Sequence, residues 1–158
     1  MVQPVDQTQE LVSDWVEVTQ TMIDDFGRAT LDNDPFHNDP AWAKENTPYR
    51  GTIAFGFLTV SLLTHLAANA IEGAGGNFKP AGGYFLNYGF DRMRLVAPVP
   101  TGSRVRGRFV KGPEHTDEAG RVRRSMDAVV EIEGRERPAL VATWLSVWVP
   151  DSAMEERA

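Results

Sequence analysis

The sequence predicts an α+β domain in which a largely antiparallel sheet wraps one long central helix. Helical periodicity is confined to the first half of the chain and two-residue alternation to the second. That segregated order marks α+β rather than alternating α/β proteins. Between the halves, residues 54–71 form an almost wholly apolar run. Phe55, Phe57, Leu58, Val60, Leu62, Leu63, Leu66 and Ile71 cover nearly the whole helical circumference. A helix apolar on every side is expected to be buried on every side, and a curved sheet supplies that enclosure.

Composition sets the outer bounds. At 158 residues the chain is long enough for one well-buried core. Residues 14–150 are read as that domain, 1–13 as a loose segment and 151–158 as a frayed tail. Hydrophobic residues make up 42% and charged residues 24%, a globular balance. The net charge of -6 argues against a general nucleic-acid binder, whose phosphate contacts need clustered basic surface. There is no cysteine. That excludes disulfides, thiolate catalysis and cysteine metal sites, and fits a reducing, cytoplasmic compartment. The opening MVQPVDQTQELVSD has neither a basic start nor an apolar core, so no signal peptide is expected. No apolar run reaches the roughly 18 residues of a membrane span, so no membrane partner is expected.

Taken in order, Trp15, Val16 and Val18 suggest a short strand. Thr19 can cap a helix over 20–30, with Met22, Ile23, Phe26 and Ala29 as its apolar stripe. Asp24 and Arg28 are spaced to pair on its wet face. Residues 31–50 are loop-rich and punctuated by Pro35, Pro40 and Pro48. Asp39–Pro40 reads as N-cap followed by N1 of a short helix through Ala41, Trp42 and Ala43. Gly51 then releases the chain, Thr52 or a neighbour caps the apolar helix, and Gly73, Gly75 and Gly76 end it. Tyr84–Val96 reads as a strand. Val105, Gly107 and Phe109 alternate with Arg104, Arg106 and Arg108 in the next one. Over 122–132, Val122, Met126, Ala128, Val130 and Ile132 share one face, interrupted by Arg124. Asp117–Gly120 and Gly134–Arg137 read as turns. The last strand, 139–149, is apolar on both faces (Val141, Leu145, Val147; Leu140, Trp144, Trp148) and is expected inside the sheet.

The chemistry-bearing residues lie in 32–64. Asp32 and His37 stand five positions apart in an acidic, proline-stiffened loop ahead of the apolar helix. In isolation such a pair reads as a capping carboxylate and a solvated imidazole. Asp32, Asp34, His37 and Asp39 come with no second histidine and no spaced carboxylate, so no metal is expected. His65 and His115 are read as structural or exposed.

The surrounding motifs change the reading of the pair. Asp32-Asn33-Asp34-Pro35-Phe36-His37, then Ala43, then Ile53-Ala54-Phe55-Gly56-Phe57-Leu58 resemble the D-x-N-P-x-H and I-A-H-G elements of MaoC-like hydratases. Leu86-Asn87-Tyr88-Gly89-Phe90-Asp91-Arg92-Met93-Arg94 and Ala97-Pro98-Val99-Pro100-Thr101-Gly102-Ser103 resemble the branch related to nodulation protein N and similar R-specific enoyl-CoA hydratases. The similarity spans residues 14–149. It implies a hot-dog fold and a lyase of fatty acid metabolism. Water adds reversibly and syn across a trans-2-enoyl thioester, giving an (R)-3-hydroxyacyl-CoA.

The resemblance also implies roles. Asp32 and His37 hold and deprotonate the water and deliver a proton to the alpha carbon. The Gly56 N–H faces the thioester carbonyl, at a helix N-terminus whose dipole favours enolate charge. Thr64 matches a hydroxyl that orients the catalytic histidine. No cofactor is implied beyond the CoA that the substrate carries. Asp34, Phe55, Phe57, Tyr88, Arg92 and Arg94 complete the substrate-side candidates, the two arginines toward phosphate or thioester. Aromatic residues here, Tyr84 and Phe85 included, serve a core as readily as an acyl pocket. The Arg104, Arg106 and Arg108 face reads as solvated, with CoA phosphates as its alternative partner.

Three positions depart from the family pattern. Leu31 stands where Gly precedes the catalytic Asp, so the backbone there is expected to avoid conformations that only glycine tolerates easily. Asp34 replaces Asn and sets a second carboxylate beside Asp32. Phe55 replaces the His before Gly56, which removes a polar group from the pocket wall and bears on substrate preference and turnover. Rival readings keep the fold: a thioesterase releasing free CoA, a dehydratase working on acyl carrier protein, or a non-catalytic acyl-thioester binding module. A homodimer is expected, because one sheet around one helix leaves a sheet edge and the pantetheine groove open, and family members close both by pairing.

Overall fold

The computed structural model describes residues 10–79, 81–118 and 120–152. Two short strands open it, β1 (Leu11–Val12) and β2 (Val16–Glu17). The helices α1 (Gln20–Thr30), α2 (Pro35–Asn38), α3 (Pro40–Asn46), α4 (Gly56–Ser61) and α5 (Leu63–Gly73) follow. Four long strands complete it: β3 (Gly83–Leu95), β4 (Arg104–Thr116), β5 (Val122–Ile132) and β6 (Leu140–Pro150). The sheet runs β1-β4-β5-β6-β3, with β2 also on β4, and every pairing is antiparallel. β6 is interior, as its two apolar faces require, and β3 is an edge.

Inward residues of the strands, among them Val105, Phe109, Ala128, Val130, Leu140 and Trp144, form one core with Leu63, Leu66, Ala67 and Ala70 of α5. Gly107 lets the helix settle on β4: a Cβ there would stand 3.0 Å from Leu66 Cβ and 2.4 Å from the Phe109 ring. A curved sheet closed around a helix in this way is the hot-dog architecture.

Several expectations are corrected. Leu11 is only 2% exposed and pairs with Phe109, so the segment expected to be loose already belongs to the core at Leu11. Residues 1–9 of that segment, and 153–158 of the tail, lie outside the described residues. In α1, Ile23 and Gly27 are buried while Ala29 is exposed. Arg28 pairs with Asp25 rather than Asp24. Asp24 instead accepts from Gln20 Nε2 (2.8 Å) and Asn38 Nδ2 (3.2 Å). Thr19 does cap α1, accepting from the Met22 N–H at 3.2 Å.

The central helix is interrupted at Leu62, which keeps right-handed backbone angles (φ -67°, ψ -18°). Bonds from Leu62 N–H to Leu58 O and from Leu66 N–H to Leu62 O, each 3.0 Å, carry it across. It is not enclosed on all sides. Phe57 is 69% exposed, and Ser61, Thr64 and His65 continue its open stripe at helical spacing. Among the described residues no helix is long and apolar enough to cross a membrane.

Candidate active site

Helix α1 ends on Leu31, which takes the left-handed conformation (φ 61°, ψ 24°). The expectation that a non-glycine residue would avoid this region is wrong. Leu31 accepts a backbone strain of about 1–2 kcal/mol, and the chain turns so that the Asp32 N–H bonds back to Gly27 O at 3.0 Å. The Asp32 carboxylate, exposed, accepts from the Asp34 N–H at 3.2 Å. Asp34 in turn caps α2 by accepting from the Phe36 N–H at 3.0 Å, a role that Asp and Asn fill equally well. Pro35 occupies the first turn of α2, where its missing N–H costs nothing.

This short helix presents His37. Its Nδ1 lies 2.7 Å from Ile53 O. A carbonyl oxygen can only accept, so Nδ1 carries the proton and Nε2 of the neutral ring is left as an acceptor. The imidazole rests on the Phe55 ring, centroids 3.9 Å apart and planes at 33°. Phe55 leans in turn on Phe26 at 5.3 Å. Phe55 is only 5% exposed. Within one chain the ring backs the imidazole from inside the core.

The motifs that lie far apart in sequence are bonded together here. Ile53 N–H reaches Phe36 O (3.2 Å), Ala54 N–H reaches Val99 O (2.8 Å), and Thr101 N–H reaches Thr52 O (3.0 Å). Thr52 therefore does not cap the central helix. Its hydroxyl meets Gln20 Oε1 (2.5 Å) and Thr101 Oγ1 (2.7 Å). Gln20 also donates through Nε2 to His37 O at 2.8 Å. Sequence reasoning misses Gln20, because a glutamine in the first turn of a helix carries no signal of such a junction. Gln20→Ala is expected to cost about 1–3 kcal/mol, since it strips partners from the nearly buried Thr52 hydroxyl and the His37 carbonyl. Urea denaturation measures this, and a change below about 0.5 kcal/mol would place Gln20 among ordinary surface positions.

Gly56 opens α4, and its cap residue Phe55 offers no side-chain hydrogen bond to the helix end. A Cβ on Gly56 would fall 2.3 Å from Leu95 Cδ1. Leu95 is half exposed and can swing aside, so Gly56→Ala is expected to fold. Methyl and displaced leucine together then crowd the approach to the free N–H groups. Losing one such donor costs ~10²–10³-fold in rate, and we expect kcat/KM to fall by at least the lower figure, with a nearly unchanged melting temperature. An unaltered kcat/KM would remove Gly56 from the site.

The remaining candidates do not all converge. Thr64 is exposed and lines a cavity along α5 with Tyr84 and Phe85, while the His37 Nδ1 is held by Ile53. Phe57 and Tyr88 are exposed, at 69% and 62%. Arg92 and Arg94 pair in register with Thr143 and Val141, whereas Met93 and the half-exposed Leu95 stand on the inward side of the sheet, opposite the buried Ala142 and Leu140. The two arginines therefore sit on the outer face of the sheet, away from His37 within one chain. Arg104 and Arg106 bind Glu133 (3.0 Å) and Glu131 (2.6 Å), and Arg108 binds Glu10. Those charges are answered within the fold. Among the described residues no group of three or more His, Asp or Glu could hold a metal ion.

The chain is similar to known proteins in sequence and in fold. The family model described as MaoC like domain matches residues 2–132. Nodulation protein N of Rhizobium leguminosarum bv. viciae is 44% identical over 135 residues, 85% of this chain and 81% of that protein. The 3-hydroxyacyl-thioester dehydratase Z of Mycobacterium tuberculosis (strain ATCC 25618 / H37Rv) is 38% identical over 131 residues, 82% of each. Among solved structures, the (R)-hydratase from A. caviae is similar in fold, with a TM-score of 0.69 over 91% of this chain and 97% of that one at 18% identity. With the family match covering most of its length, the chain belongs to the MaoC-like dehydratase family.

Proposed function

We propose that the chain is an (R)-specific hydro-lyase that interconverts trans-2-enoyl-CoA and (R)-3-hydroxyacyl-CoA, acting as a homodimer. The observation that carries this reading is the His37 imidazole, its proton fixed on Nδ1 by Ile53 O and its Nε2 left to take a proton from water. Asp32 and Nε2 hold the water. Its hydroxyl adds to C3 of the enoyl group while the thioester oxygen gathers charge opposite the Gly56 N–H. The proton taken by the pair is returned to C2 on the same face, so that H and OH add syn and the thioester bond stays intact.

The kinship with a 3-hydroxyacyl-thioester dehydratase at 38% identity and a fold shared with an (R)-hydratase support the reaction class. The dimer is supported by β3. This edge strand exposes Tyr84, Leu86, Tyr88 and Leu95, with Leu95 against Gly56, and such an edge calls for a cover.

The test is the enoyl-thioester absorbance of crotonyl-CoA and longer homologues, followed with chiral analysis of the product. Loss of absorbance with an (R)-3-hydroxyacyl product is expected. No loss across the chain-length panel by folded protein would overturn the proposal, and free thiol would point to a thioesterase.

A further inference from the structure

We propose that the cavity beside α5 is a subsite for an anionic group of the substrate, held by Lys111 and Arg124; this rests on the thioester reading above. The cavity measures about 540 Å³ and has a mixed lining, with Phe85, Met126, Trp144 and Trp148 as its aromatic and apolar part and Asn87, Ser125 and Ser146 among its polar part. Its size is that of a small-molecule site.

Two cations stand where the strand pattern demands apolar residues. On β4 the inward positions run Val105, Gly107, Phe109 and then Lys111. On β5 Arg124 interrupts the inward face of Val122, Met126, Ala128 and Val130. Placing charge against aromatic walls is costly unless a counter-charge answers it. Arg124 is held over the Phe85 ring at 5.1 Å, with Glu114 Oε1 2.7 Å from its Nε. Lys111 has no ion-pair partner among the described residues. With Lys79 the cavity lining holds three cations and one carboxylate, in a protein whose net charge is -6. The aromatic part of the lining keeps some water away from the cations and so strengthens their attraction for an incoming anion.

The cavity reaches α5 at Thr64, eight residues beyond Gly56. At a rise of ~1.5 Å per residue that is about 12 Å along the helix. The anion held there is therefore remote from the thioester carbonyl. Two parts of such a substrate qualify: a carboxylate at the far end of the acyl chain, or a phosphate of CoA.

The experiment measures kcat/KM for wild type, Lys111→Met and Lys111→Arg on three substrates, with melting curves to confirm folding. The substrates are an apolar enoyl-CoA, an enoyl-CoA ending in a carboxylate, and the apolar enoyl thioester of N-acetylcysteamine, which has no phosphate. Lys111→Met is expected to lose about tenfold or more through KM on the substrate whose anion seats there, relative to the N-acetylcysteamine thioester. Lys111→Arg is expected to recover most of it. A selective loss on the carboxylate-ended substrate assigns the acyl end, and an equal loss on both CoA substrates assigns the phosphate. A uniform effect on all three overturns the subsite. If wild type turns over none of them, the hydro-lyase reading fails separately. Calorimetry with CoA and with a linear α,ω-dicarboxylate then decides the subsite: binding that depends on Lys111 upholds it, and its absence refutes it.

Discussion

Replacing His37 by Gln is expected to lower kcat by roughly 10²–10⁴-fold, and Asp32→Asn by a comparable factor, with both proteins still folded. The structural cost of each change is small. The glutamine side chain would still offer an N–H toward Ile53 O, and the backbone bond from residue 37 to Asp34 O does not involve the side chain. Asn at position 32 keeps an oxygen to accept from the Asp34 N–H. What both variants lose is the ability to take up and return a proton. Steady-state turnover of an enoyl-CoA, run beside thermal melts, separates these effects. Rates near wild type in both variants would show that the pair is structural and would sink the proposed mechanism.

The fold and the helix starts that frame the candidate site are legible in the sequence because their signals are local. Thr19 and Asp39–Pro40 mark helix starts through side-chain oxygens that reach only two or three residues ahead, and the structure uses them so. The two apolar faces of β6 are enough to place it inside the sheet.

What is not legible depends on partners distant in sequence. Leu31 enters left-handed backbone because the turn to Asp32 is fixed by the bond to Gly27 O, not by its own preference. The face of Arg92 and Arg94 cannot be counted along β3, because register shifts between Asn87 and Gly89 and between Phe90 and Arg92 break the two-residue period. Composition alone predicts an enclosed central helix. Phe57 is apolar yet open, as a contact reserved for a second copy would be, and hydrophobicity cannot distinguish a core from an interface. Gln20 ties α1, His37, Thr52 and Thr101 together through bonds spanning up to 81 positions, which no window of sequence contains.

Phe55→Ala is expected to destabilise the protein by about 3–5 kcal/mol, the cost of emptying a buried aromatic site, and to lower kcat more than it raises KM. The first effect follows from a ring only 5% exposed and packed on Phe26. The second follows from its place under the imidazole: without that face, His37 keeps its bond to Ile53 O but gains freedom to tilt Nε2 away from the water. Phe55→Leu refills much of the volume without restoring a flat face, so it is expected to recover stability before it recovers kcat. Phe55→His restores the residue that the family pattern carries. It keeps a ring against His37 but sets polar nitrogens in a core position, where an unpaired group costs about 1–3 kcal/mol. We expect it to fold less stably, to leave the proposed dimer intact and to shift rate or chain-length preference. Urea denaturation and kinetics on the same variants separate the two roles of the ring. If Phe55→Ala loses stability while kcat among the folded molecules is unchanged, the ring is core alone and the histidine needs no backing. If kcat follows the flat face through the series rather than the volume, the substitution that sets this chain apart from the family pattern has replaced a polar wall with a rigid seat for its proton carrier.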